Sequence, residues 1–86
     1  MSVGERFGQN LARQRKRAGL SQERLGEHAG LHRTEIGLLE RGARVPRIDT
    51  LIKLATALDT DPGELLHGIG WEPGSVTVTP GRFGSG

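Results

Sequence analysis

Four arginines, Arg33, Arg41, Arg44 and Arg47, fall in one short stretch of the chain, with Thr34, Glu35 and Leu38 between the first two and Gln22 a little ahead. A guanidinium offers parallel N–H donors that match either the O6/N7 edge of guanine or two oxygens of a phosphate. Thr34 can donate to or accept from a base edge or a phosphate, Glu35 can accept from cytosine N4, and Leu38 can pack on a thymine methyl. Arg33 suits the guanine edge. Gln22, Arg41, Arg44 and Arg47 make a set suited to phosphates, which position a protein on a polyanion without reading its sequence. Each residue also has a plainer use. The arginines can be solvated surface, Thr34 and Leu38 an ordinary helix exterior, and Glu35 a carboxylate stabilised by a helix N-terminus, which is the stronger of its two roles.

The charge pattern favours the polyanion. Residues 1–47 hold ten basic residues against five acidic, a net +5, whereas residues 48–86 hold two against five, a net −3. A basic half beside an acidic half marks the first as the electrostatic footprint. Other chemistries lack their parts. Cysteine is absent, which removes disulfides, thiol nucleophiles and cysteine-ligated zinc, and fits a cytoplasmic protein. His28 and His32 are four apart, but Gly30 breaks a helix between them, and neither they nor His67 joins a ligand spacing, so no metal and no cofactor is expected. The glycines fall at helix ends rather than in a phosphate loop, no catalytic Ser/His/Asp set is arranged, and no enzyme activity is expected. No apolar run approaches the ~20 residues that span a bilayer, and the first ten residues lack the apolar core of a secretory signal.

The elements that must carry these residues are punctuated by glycine. Gly19, Gly30 and Gly42 each follow a stretch of good helix formers and read as helix ends. The first helix is predicted from about Ser2 to Ala18, with Phe7, Leu11 and Ala18 facing inward. The second is capped by Ser21 and runs from Gln22 to Ala29; the third runs from His32 or Arg33 to Arg41, with Ile36 and Leu39 inward. Val45-Pro46 makes an extended connector. A fourth helix from about Arg47 to Leu58 carries the clearest apolar stripe, Leu51, Leu54, Ala55 and Leu58. Asp61-Pro62-Gly63-Glu64 opens a short fifth helix, with Asp61 and Glu64 spaced for a capping box. Residues 1–68 are therefore expected to form one domain. Residues 69–86, rich in glycine, are expected to be a flexible tail or a dimerisation segment, in which Ser75–Thr79 alternates like a strand without a partner.

Only Gly30 and Leu31, with His32 as cap, join the second helix to the third, and so tight a joint makes the axes cross steeply as a helix-turn-helix. The third helix then protrudes with its first turn free, in dimensions that suit a DNA major groove. Leu20-Ser21-Gln22-Glu23-Arg24-Leu25, Ala29-Gly30-Leu31, Ile36, Leu39-Glu40-Arg41-Gly42, Pro46 and Thr50-Leu51-Ile52-Lys53-Leu54-Ala55 with Leu58 resemble the Cro/CI-type helix-turn-helix of phage repressors and xenobiotic-response-element (XRE) regulators. The resemblance covers about residues 7–66.

It implies an all-α, five-helix, lambda-repressor-like DNA-binding domain with a Gly-rich C-terminal tail, acting as a homodimer on a palindromic operator, more often as repressor than activator. Carried over by position, it implies that Gln22 approaches a phosphate, that Arg33, Thr34 and Leu38 look towards base edges, and that Arg15 and Glu40 form an internal ion pair. Three positions depart from the pattern: His32 replaces a small hydroxyl cap, Gly37 lies inside the third helix, and Arg47 replaces the small cap of the fourth. Dimer contacts are sought at Ile52, Leu66, Ile69, Trp71 and Val76–Val78, and the C-terminal segment could take a protein partner. Two other functions are compatible with the fold: an antitoxin or restriction-controller protein, and a protein-interaction module that reads no DNA.

Overall fold

A computed structural model describes residues 1–73 and 75–78. Ser2 starts the first helix, α1 (Val3–Arg17). Its hydroxyl accepts from the Glu5 amide at 3.1 Å while the Glu5 carboxylate accepts from the Ser2 amide at 2.9 Å, a reciprocal capping box. Ser21 caps α2 (Gln22–Ala29) in the same way through the Arg24 amide. Next come α3 (Arg33–Glu40), α4 (Ile48–Ala57) and the single turn α5 (Pro62–Leu65).

Three expected features differ. Ala18 lies exposed just past the end of α1 rather than on its inner face. Asp61 makes no side-chain cap bond, so the expected capping box is not formed; α5 is started by Pro62 and by the Glu64 amide donating to the Asp61 carbonyl at 3.0 Å. Ser75–Val78 is not a lone strand. It forms β2, paired antiparallel with β1 (Ile69–Glu72), with Glu72 opposite Ser75 and Ile69 opposite Val78. Residues 79–86, and with them Thr79 of the predicted strand, lie outside the described residues.

The core is built from one or two residues of each element: Phe7, Leu11, Leu25, Ile36, Leu39, Leu54 and Leu65 are all fully buried. Ile69, at the start of β1, joins them at 6% exposure, so the first residue of the expected tail belongs to the packed interior. Two features hold α1 to its neighbours. At Gly8 a Cβ would stand 2.5 Å from the backbone oxygens of both Leu39 and Glu40, so the missing side chain lets α1 touch the end of α3 directly. On the buried side of the same helix, the Asn10 amide donates to the carbonyls of Leu65 (3.0 Å) and His67 (2.8 Å), tying α1 to the turn after α5. Among the described residues, no helix is long and apolar enough to cross a membrane.

Candidate nucleic-acid interface

The interface begins at the joint between α2 and α3. Gly30 takes the left-handed conformation (φ 70°) that glycine adopts without steric penalty, and Leu31 closes the turn by donating to the Gly26 carbonyl at 2.8 Å. His32 then caps α3: its Nδ1 accepts from the Thr34 amide at 3.1 Å, so the imidazole does the work of the usual hydroxyl. An imidazole nitrogen can accept only when it carries no proton, which fixes the neutral tautomer with hydrogen on Nε2.

Ile36, Gly37 and Leu39 bury the inner side of α3, and its first turn is left outside. Arg33 and Thr34 are exposed, and Glu35 and Leu38 are half-buried at the border. Arg33 leans on Glu23 at 3.5 Å, but both side chains are about two-thirds exposed, 66% and 63%. A pair that long and that wet contributes little, so the guanidinium can leave it for a better acceptor. Glu35 sits in the first turn of α3, where the helix dipole favours a carboxylate.

Beyond α3 the basic residues continue along one strip of backbone. Arg41, Arg44 and Arg47 are all exposed. Arg47 precedes α4 without capping it, and its side chain, 85% exposed, reaches Asp49 at 3.4 Å. Arg41 behaves differently: a Cβ on Gly37 would lie 3.1 Å from its Nη1, which places the guanidinium back across α3, against the glycine.

Behind this surface, Arg15 and Glu40 form a two-pronged ion pair, Nε to Oε2 at 2.6 Å and Nη2 to Oε1 at 3.0 Å, with side chains only 13% and 8% exposed. Arg15 also donates to the Leu20 carbonyl at 2.9 Å, in the turn leading to α2. The bonds to Glu40 raise the Arg15 pKa above the ordinary arginine value, outweighing the burial that opposes them. Gln22 adds a third donor, its Nε2 lying 3.1 Å from Glu40 Oε1. The half-buried Gln22 amide is thus engaged inward, and three helices meet at one carboxylate just under the exposed strip.

Comparison with known proteins agrees with this geometry. The family model for the helix-turn-helix domain matches residues 6–67. The control protein C.SmaI of Serratia marcescens is 46% identical over 66 residues, which is 77% of this chain and 79% of that protein. The crystal structure of the restriction-modification controller protein C.AhdI from Aeromonas hydrophila superposes with a TM-score of 0.71 at 47% identity, covering 72% of this chain and 90% of the other. The P22 c2 repressor, solved in complex with a synthetic operator, superposes with a TM-score of 0.66 at 30% identity over 70% of this chain and 91% of its own. The chain belongs to the XRE-type helix-turn-helix family of DNA-binding transcriptional regulators.

Proposed function

We propose that this regulator binds a palindromic operator as a homodimer, inserting the first turn of α3 into the major groove of each half-site. The observation that carries the reading is the placement of Arg33 and Thr34: both are exposed at the leading end of a helix whose other face is locked into the core. In this reading Arg33 takes a guanine edge, Thr34 and Glu35 meet neighbouring base edges, and Leu38 packs against a thymine methyl. Arg44 and Arg47 hold the backbone on one side, and Arg41 with Gln22 on the other. One such domain touches few base pairs, so two are needed, with half-sites about 34 Å apart. Of the residues considered for the dimer contact, Ile69 is used in the core. Ile52 and Trp71 are more than half exposed, and Ile48, one turn before Ile52 on α4, is 77% exposed, so these three are the better candidates. A dimer seated across a promoter occupies DNA that a polymerase needs, so the reading is repression.

The likeness to C.SmaI and C.AhdI, at 46% and 47% identity, favours one setting in particular: control of the genes of a restriction–modification system. Selection of bound fragments from a random DNA pool tests the proposal. A two-fold symmetric consensus, bound with an affinity that falls steeply with salt, supports it. No consensus together with a flat salt dependence favours a protein-interaction module instead.

A further inference from the structure

Gln22 lies beside Arg41, and the chemistry of its other partner fixes how it faces. A carboxylate only accepts hydrogen bonds, so the amide atom 3.1 Å from Glu40 Oε1 must be the NH2 group, and the carbonyl Oε1 must be turned away from it. The same Oε1 lies 3.7 Å from the place a Cβ would take on Gly37, and Arg41 Nη1 lies 3.1 Å from that place. The outward end of Gln22 is therefore an acceptor, and the group next to it is a donor. A phosphate oxygen is also an acceptor, and it has nothing to gain from Gln22 in this orientation.

We propose that Gln22 is a positioning residue that steers Arg41 across Gly37, and that the Arg41 guanidinium, not the Gln22 amide, takes the DNA phosphate at this edge of the interface. The series then runs outward from the interior: Arg15 holds Glu40, Glu40 fixes the Gln22 amide, and the Gln22 carbonyl faces the Arg41 guanidinium. Gly37 acquires a reason. Glycine inside a helix is unfavourable relative to alanine, and here its missing side chain leaves the seat in which the guanidinium lies. The inference deepens the DNA-binding reading and rests on it for the identity of the ligand, but the ordering of Arg41 is a property of the protein alone.

The test is a double-mutant cycle on a mixed-sequence DNA duplex of fixed length, titrated at several salt concentrations, with Gln22→Met, Arg41→Met and the double variant. Arg41→Met is expected to weaken binding about tenfold and to flatten the salt slope by about 0.9, the value of one phosphate contact. Gln22→Met is expected to weaken binding and flatten the slope in the parent, and to do nothing further once Arg41 is methionine. A Gln22→Met loss of the same size in both backgrounds, or no loss in either, overturns the proposal. Gly37→Ala supplies a second route: it should raise the melting temperature through helix propensity while lowering affinity as Gln22→Met does. Unchanged affinity in Gly37→Ala counts against the seat. A parent that binds no duplex overturns the DNA reading, and the steering is then decided on the free protein. There, NMR relaxation of the Arg41 side chain should show order in the parent and lose it in Gln22→Met; equal mobility in the two overturns the steering by itself.

Discussion

Replacing Glu40 with leucine should unfold much of this protein's margin of stability, although Glu40 touches no apolar core residue through its charge. The carboxylate is 8% exposed and accepts from Arg15 at 2.6 and 3.0 Å and from Gln22 at 3.1 Å. Its removal leaves the Arg15 guanidinium, itself 13% exposed, with the Leu20 carbonyl as its remaining hydrogen-bond partner. Stranding one member of a buried ion pair costs about 3–5 kcal/mol. A domain this small has a total stability of about 5–15 kcal/mol, and loses roughly 4–8 °C of melting temperature per kcal/mol. Glu40→Leu and Arg15→Met should each lower the melting temperature by at least about 12 °C. The double variant tells more: with both charges gone no ion is stranded, so it should be more stable than either single variant. Urea unfolding followed by circular dichroism gives all four free energies. Single-variant losses below about 1 kcal/mol, the range of exposed pairs, would refute the reasoning, as would a double variant that loses the sum of the two.

Gly8→Ala should destabilise by about 1–3 kcal/mol despite the better helix propensity of alanine, because its Cβ meets backbone oxygens at 2.5 Å that no rotamer change can move; an increase in the urea midpoint would contradict this. The capping box makes α1 sensitive to acid. Hydrogen bonds from Ser2 hold the Glu5 carboxyl below the usual carboxylate range, so its folded pKa is depressed. Such a group contributes stability above its unfolded pKa and loses it as pH falls through the folded value. Glu5→Gln should therefore lose less stability than the parent between neutral and acid pH, and equal losses would show that the carboxylate makes no such contribution.

The sequence carried the helical frame because its signals there are local. Ser21 and Gly30 announce the two ends of α2 by side chain and by backbone freedom, and the stripe Leu51, Leu54, Ala55 and Leu58 needs no partner to be read. What escaped depends on contacts between distant residues. Asn10 sits three residues after Phe7 on the buried side of α1, a position a polar residue takes only if distant carbonyls wait for it, and those belong to Leu65 and His67. Gly8 looked like helix interior until α3 was laid against it. The partner of Ser75–Val78 was hidden because Ile69–Glu72 includes a glycine and begins in the core, although Pro73-Gly74 between them is a turn-forming pair. Within the site, residue types suggested which side chains could bind DNA, but the orientation of Gln22 and the seat of Arg41 follow only from Glu40 and Gly37 being beside them. The His32 cap is a similar case: a residue that looked unfavourable for the turn makes the bond through a ring nitrogen.

The central claim is that the leading turn of α3 reads base pairs, and the most direct measurement compares the preferred DNA of two proteins. Fragments would be selected from one random pool by the parent and by the double variant Arg33→Ala with Thr34→Ala, both checked for an unchanged melting profile. The account predicts a parent consensus with two symmetric half-sites and a variant that binds with preference relaxed at the same positions in each half, since lost bidentate and hydroxyl contacts remove about 1–3 kcal/mol of discrimination apiece. An identical consensus from the two proteins would contradict it.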